Sequence, residues 1–281
     1  MGGDIAGKAV VPVIQTGGGF RVPRLGEQRA FTEDELPAVE SRVRDMGFYP
    51  YRTTQEELDA IGSDRQAIDA VFLRVMEESL ERWLALAEER LAGSGVRLYV
   101  MTGNDDEPRL RDVLAASPVV TDPEDITVEL GEGFQMVASG WANPTPWNSP
   151  REMPEAELEQ HLEQLIAPLH DPARAVFNFH VPPIRTPLDR APVLNASLKP
   201  VVKGGAVMME SVGSEAVRRV IERHQPLLAL HGHIHESRGA TKIGRTVCIN
   251  PGSEYTEGVL HGALAVLDRR QGLKRYQLTS G

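Results

Sequence analysis

Three distant segments of this chain share one design, an apolar run that ends in side chains able to hold a metal. Arg97-Leu-Tyr-Val-Met-Thr-Gly103 runs into Asn104-Asp105-Asp106. Ala175-Val-Phe-Asn-Phe179 runs into His180, and Leu227-Leu-Ala-Leu230 runs into His231-Gly-His-Ile-His235. In an extended segment positions i and i+2 point the same way, so His233 and His235 can present both imidazoles to one centre. Imidazole nitrogen together with Asn and Asp oxygen is a borderline donor set, suited to Zn, Mn, Fe or Co rather than Ca. A single His at a strand end reads more naturally as a structural hydrogen-bonder; it is the three clusters together that carry the metal reading.

Clusters so far apart meet only if the strands leading to them lie side by side and parallel, because residues beyond the carboxyl ends of such strands face one crevice. Short apolar runs alternating with helical patterns predict an α/β fold. Strands are expected at Ala9–Ile14, Arg97–Met101, Ile126–Leu130, Gln135–Ala138, Ala175–Asn178, Leu227–Leu230, Thr246–Ile249 and Ala263–Leu267. The clearest helix runs from about Asp64 to Leu91. Its apolar stripe, Ile68, Val71, Phe72, Val75, Met76, Leu80, Trp83, Leu84, Ala87 and Leu91, is expected in the core, with Ser63 and Gln66 as a capping box. Further helices are expected at Glu155–Ile166, with a solvated acidic side, and at Glu215–Arg223, with Ser214 as N-cap. Ile184–Gly205, rich in Pro and Gly, reads as a long excursion. No domain boundary stands out, and a single domain over 1–281 is expected.

Gly3-Asp4, Gly103-Asn104-Asp105-Asp106, His180 and Gly232-His233-Ile234-His235 resemble, in order, the motifs of the calcineurin-like metallophosphoesterases. That family's pattern is D-x-H, G-D-x-x-D, G-N-H-[D/E], an isolated H and G-H-x-H. His180-Val-Pro-Pro183, His235-Glu-Ser237 and Asn250-Pro-Gly-Ser253 add a likeness to its small phosphoesterases with a G-N-[C/D]-D variant. The resemblance implies a β-sandwich flanked by helices, with a dimetal site at the strand ends. It makes Asp4 the carboxylate bridging two metals, has Asn104, His180 and His233 complete the second metal site, and has His235 join the first. The implied chemistry is hydrolysis of a small phosphomonoester or phosphodiester. Two divalent ions (Mn, Fe, Zn or Co) would hold the phosphate oxygens and activate a water for in-line attack on phosphorus.

The chain departs from the pattern in three places. No D-x-H precedes Gly3-Asp4, Gly7 stands last in G-D-x-x-D, and Asp105 stands where many members carry a His that assists the leaving group. Asn104 and Asp105 are the catalytic candidates; Asp105 can serve as general acid only through burial or a neighbouring carboxylate, for which Asp106 is the candidate. The missing ligands leave an alternative, a non-catalytic metal- or phosphate-binding homologue with an incomplete dimetal site.

Other signals are weaker. Gly2–Ala9 superficially fits a phosphate loop but lacks the final hydroxyl and a preceding strand. His161, His170, His224 and His261 are expected to be solvated or capping, and His231 to support its neighbours rather than bind metal. Trp141 and Trp147 read equally as a substrate mouth or a packed loop, and Arg185 and Lys203 as surface charge. The 281 residues carry 30 Lys and Arg against 40 Asp and Glu, a net charge of −10. That balance disfavours nucleic acid or an anionic membrane and leaves a small phosphorylated substrate as the expected partner. The one cysteine, Cys248, excludes an internal disulfide framework and, in its apolar run, reads as a buried strand residue. No apolar run approaches the roughly 18 residues of a membrane span, and the expected location is cytoplasmic. Asp4 has only three residues before it, whereas a strand carries every other cluster. Met1 is therefore expected to be an internal start, the natural chain holding an earlier strand ending in D-x-H and a connecting helix, roughly 30 to 40 residues in all.

Overall fold

The computed structural model describes residues 2–7, 9–26, 30–254 and 257–281. Met1 and Lys8, on which the readings of the chain start and of Gly2–Ala9 partly fall, lie outside the described residues. The chain divides into two compact units.

The smaller unit spans Ala6–Val96 with a short return at 257–259. Its strand β1 (Val10–Thr16) pairs antiparallel with β2 (Gly19–Arg21), and a parallel partner requires a crossover. Helix α1 (Leu36–Asp45) supplies it and leads to β3 (Tyr49–Thr54), parallel to β1. Val11, Val13, Phe20 and Phe31 pack against Leu36, Val39 and Val43 of α1 to form this unit's core. Two helices follow, α2 (Gln55–Ile61) and α3 (Arg65–Leu91). The stripe on α3 is only partly used. Val75, Met76 and Leu84 are buried and Phe72 meets Tyr49 edge-on at 6.1 Å, but Ile68 is 45% exposed. Length is the reason. The helix has 27 residues, about 40 Å at 1.5 Å each, and strands of seven residues or fewer cover only part of it. Asp64 caps it rather than Ser63, its carboxylate accepting from the Gln66 and Ala67 amides.

The larger unit takes in the residues up to Ile5, Arg97–Glu254 and Leu260–Gly281. It opens with β4 (Leu98–Tyr99), α4 (Leu110–Ala115) and β5 (Val120–Thr121), β4 and β5 pairing in parallel. Then come β6 (Val128–Gly131), β7 (Phe134–Ser139), α5 (Glu155–Ile166) and β8 (Val176–Phe179). The excursion Ile184–Gly205 contains β9 (Arg190–Pro192) and β10 (Val202–Lys203), and β11 (Ala206–Val207) and β12 (Met209–Ser211) follow just beyond it, paired β9 with β12 and β10 with β11. The remaining elements are α6 (Glu215–His224), β13 (Leu228–Leu230), β14 (Gly239–Ile243), β15 (Thr246–Asn250) and the hairpin β16 (His261–Asp268) with β17 (Gly272–Ser280).

This is a mixed α/β fold around a six-stranded mixed sheet of order β14-β15-β13-β8-β7-β6, in which the four inner strands are parallel and both edge strands antiparallel. Successive side chains of a strand face opposite ways, and both faces are covered. Val137, Phe177, Ala229 and Cys248 meet Leu158, Leu162 and Ile166 of α5 and Val217, Val220 and Ile221 of α6. Met136, Val176, Leu228 and Val247 meet Tyr99 and the hairpin residues Ala263, Leu267, Leu273 and Leu278. Cover on both sides is why these strands are largely apolar, with Gln135 and Ser139 in β7, Asn178 in β8 and Thr246 and Asn250 in β15 as the interruptions. Burial pushes the Cys248 thiol up to about 12, which leaves it inert.

Two expectations change. Of the three cluster-bearing strands, β8 and β13 are parallel neighbours, but β4 belongs to its own ladder, and Met101 just beyond it forms a parallel bridge with Gly2. The acidic side of α5 is paired rather than solvated. Glu159 accepts from Arg219 at 2.7 Å and Arg223 at 2.9 Å, and Glu163 pairs with Arg223 and, at 2.8 Å, His224. Glu155 accepts from Ser214 Oγ and from the Glu215 and Ala216 amides, at 2.7–2.9 Å, and so caps α6 beside the expected Ser214 cap. Among the described residues no helix is long and apolar enough to cross a membrane.

Candidate metal centre

The ends of β8 and β13 carry the histidines. His180 follows β8 directly, its amide held by the Ser139 carbonyl at 2.9 Å, and its own carbonyl accepts from Gly232 at 2.8 Å. The ring of His231 ties these ends together, its Nδ1–H lying 2.9 and 3.1 Å from the Phe179 and Val181 carbonyl oxygens. Burial lowers the His231 pKa to about 4, so the ring stays neutral in this supporting role. At the end of β15, Asn250 donates its amide to the Gly232 and Ile234 carbonyls at 3.2 and 2.8 Å and so frames the turn that carries His233. His233 takes φ +62° there, a left-handed conformation that costs a side-chain-bearing residue energy.

Asp4 arrives on a segment that is well anchored despite its place near the start of the sequence. Gly2 bridges Met101, and Asp106 Oδ2 accepts from both the Ile5 and Gly103 amides, at 2.9 and 2.7 Å. The Asp106 carboxylate thus fastens the Asp4 segment to the Asn104 segment. That commitment engages the carboxylate expected from the sequence to assist Asp105 as an acid. Gly103 permits the approach: a Cβ on it would lie 2.3 Å from both the backbone nitrogen and Oδ1 of Asp4. Gly3, at φ +100°, is bound in the same way, since a Cβ would lie 2.5 Å from His180 Nδ1.

Four of the six expected residues converge. His180 Nε2 lies 3.0 Å from Asp4 Oδ2 and 3.1 Å from Asn104 Oδ1, and the His180 and His233 rings are 5.2 Å apart at 71°. One donor atom each from Asp4, His180 and His233 lies within 4.8 Å of the others. Asp105 stands at the rim: its amide donates to Asp4 Oδ1 at 3.2 Å, and its Oδ1 accepts from Ser149 Oγ and, at 3.4 Å, from Asn104 Nδ2. His235 is outside the three-residue group, near enough for its charge to act on His233.

The donor pattern is informative. His180 Nδ1 sits 2.7 Å from the Gly2 carbonyl and must donate to it. Its Nε2 then faces two oxygens that only accept, so three lone-pair atoms converge and a positive charge is needed among them. Burial works against the imidazolium, but the Asp4 carboxylate outweighs it, and the His180 pKa lies above its ordinary value. His233 goes the other way: burial, with the His180 charge beside it, lowers its pKa to about 3 and leaves a neutral imidazole. One carboxylate, one amide oxygen and two imidazoles fit a divalent ion of the Zn, Mn, Fe or Co type.

Around these ligands lie residues the sequence did not single out. Arg151 donates from Nη1 to Thr102 Oγ1 and, at 3.0 Å, to the Gly103 carbonyl, and from Nη2 to Glu124. Its partners are up to 49 residues away, and no local pattern marks it. Trp141 belongs to this packing, with the Arg151 guanidinium 5.3 Å from its ring and His161 edge-on at 6.5 Å. His161 is accordingly half-buried, not solvated. Trp147 is 62% exposed. His224 and His261 pair with Glu163 and Glu254, His170 is exposed, and Arg185 meets Glu215 on the surface while Lys203 is exposed.

No protein-family profile matches the chain. It is similar to an uncharacterized protein of Methanocaldococcus jannaschii, 30% identical over 158 residues. The match takes in 56% of this chain and 64% of the archaeal protein, so the chain spans less than two thirds of that relative's length. Among solved structures, one crystal structure superposes with a TM-score of 0.50 at 19% identity, over 96% of this chain and 97% of its own. A second, from Thermus thermophilus, gives a TM-score of 0.43 at 20% identity over 72% of this chain and 79% of its own. The first likeness is one of fold, the mixed α/β architecture described above.

Proposed function

We propose that the chain is a metal-dependent phosphoesterase of the calcineurin-like type, its helix-flanked sheet and facing hairpin serving as that family's sandwich. A small phosphomonoester or phosphodiester is the substrate. The observation that carries the reading is the convergence of Asp4, Asn104 and His180 lone pairs beside a neutral His233. A divalent ion bound there would neutralise phosphoryl oxygens and lower the pKa of a water. The chain's own contribution is placement. Asp4 directs one oxygen to His180 while its other accepts the Asp105 amide, and the Gly2 carbonyl fixes which nitrogen of His180 faces the site. Asp105, joined to Ser149, stands on the rim where a leaving group would depart.

The test is hydrolysis of an aryl phosphate and an aryl phosphodiester with added Mn, with and without His233→Ala. Metal-dependent turnover that disappears in the variant is expected; turnover indifferent to the substitution overturns the reading. A second reading, a binding protein without catalysis, draws on the fact that the described residues hold one three-ligand group, with His235 outside it. One tightly bound ion per chain with no turnover on any phosphoester would select it.

A further inference from the structure

We propose that Arg151, paired with Glu124, is a positioning residue for Asn104 and thereby controls cation affinity at the Asp4–Asn104–His180–His233 cluster. The proposal rests on reading that cluster as a metal centre.

Residues 149 and 151 together hold four consecutive residues of the Asn104 segment. Arg151 Nη1 bonds Thr102 Oγ1 and, at 3.0 Å, the Gly103 carbonyl; the Arg151 amide bonds the Asn104 carbonyl at 3.2 Å; Ser149 Oγ bonds Asp105 Oδ1. A guanidinium is a planar fork with fixed donor directions, so two contacts from one nitrogen and a third from the other define its position tightly. The third goes to Glu124, whose Oε1 also accepts the Gly140 amide at 2.9 Å. Gly140 in turn lies so close to the Thr102 carbonyl oxygen that a Cβ would come within 1.9 Å of it. The backbone just before Asn104 is thereby gripped on two sides.

Stability is a poor reason for this arrangement. Arg151 and Glu124 side chains are 4% and 0% exposed. Removing two charges from water costs free energy that their attraction only partly returns, and apolar pairs of similar volume often do as well or better. The pair is also incompletely satisfied: Glu124 Oε2 accepts no hydrogen bond from the described residues, although Arg111 Nε lies 3.7 Å from it. Metal ligation supplies the better reason. The Asn104 amide oxygen must stay near His180 Nε2, where it lies at 3.1 Å, and ligands have to be held to within about 0.5 Å to bind well.

Removing Arg151 alone would take the hydrogen-bonded cation from the buried Glu124 carboxylate, leaving Arg111 Nε at 3.7 Å, and would mix unfolding with loss of positioning. The double variant Arg151→Met with Glu124→Gln removes both charges, while the Gln carbonyl can still accept the Gly140 amide. Mn(II) affinity of the 281-residue chain is read by calorimetry beside its urea midpoint. The expected result is a midpoint close to that of the unsubstituted chain and a Kd raised about 10- to 100-fold, the usual effect of losing a group that orients a ligand. Arg151→Lys is the second arm. It keeps one positive charge, but a single ammonium nitrogen cannot fill both the Nη1 place at Thr102 and Gly103 and the Nη2 place at Glu124, and it should also weaken Mn(II) binding. A folded double variant or Arg151→Lys variant that binds Mn(II) as tightly as the unsubstituted chain overturns the positioning role alone. An unsubstituted chain that takes up no Mn(II), Zn(II), Fe(II) or Co(II) overturns the metal-centre reading and the positioning role with it.

Discussion

The larger unit uses the same two residue types, Arg and Glu, in two places with opposite consequences. Beside Asn104 the Arg151–Glu124 pair is cut off from water, with Arg111 3.7 Å from the second Glu124 oxygen. Between α5 and α6, Glu159 and Glu163 meet Arg219 and Arg223 in a ladder whose arginine side chains are 40% and 51% exposed. Coulomb attraction between exposed groups is screened, and holding long side chains together costs rotamer entropy, so such ladders contribute little each. Inside the protein each charge depends on its partner, and the loss of one strands the other. What the two regions teach is that an ion pair's importance follows from what its removal would leave behind.

Four measurements bear on this contrast. The largest effect belongs to Arg151→Ala, which takes the hydrogen-bonded cation from the buried Glu124 carboxylate and should cost about 3 kcal/mol in urea unfolding; a loss under about 1 kcal/mol would mean that Arg111 or water compensates Glu124 and would erase the contrast. Next is Glu155→Ala. It strips the cap from three donors at the start of α6 and should cost about 1–2 kcal/mol, placing this carboxylate between the two extremes. Arg219→Ala should cost no more than about 1 kcal/mol, and the difference should vanish in roughly 1 M salt. A salt-independent loss would show the ladder to be better shielded than its exposure indicates.

The smallest effect is a pH dependence. Hydrogen bonds from Arg219 and Arg223 hold the Glu159 pKa below its model-peptide value of 4.5. A depressed carboxylate adds stability above the unfolded value and loses it as pH falls through the folded one. The stability gap between the unsubstituted chain and Glu159→Gln should therefore be present at pH 6 and close progressively below pH about 4.5. A gap that widens in acid would reverse the assignment.

Much of the site was legible because its carriers are buried. Strands covered on both faces must be largely apolar, so Ala175–Phe179 and Leu227–Leu230 announced themselves, and His180, just past the first run, is a member of the cluster. Helices α5 and α6 were legible for a similar reason, one apolar face each and a Ser214 cap. What escaped was either short or distant. The strands β9 to β12, in and just after the excursion, have two or three residues each, too few for any periodicity to register. The stripe on α3 was visible, but a sequence does not say how long a sheet lies beneath it. Asp106 was noticed for its charge, whereas its work is to accept two backbone amides, a role that depends on Ile5 lying 101 residues away. Glu124 and Arg151 bury charge within polar surroundings and look in the sequence like ordinary surface residues.

The left-handed backbone at His233 carries a consequence for anyone who evolves this protein in the laboratory. His233 holds φ +62° and Asp4 φ +47°, and glycine would occupy the first of these without the steric penalty that a side chain incurs. A selection for heat resistance that does not also demand metal binding should therefore enrich glycine at His233 early, because the same change relieves strain and removes a half-buried imidazole. On the metal-centre reading the resulting proteins would be sturdier and poorer at holding a cation. Durability and cation binding would then compete at one backbone angle, so a screen would have to reward both.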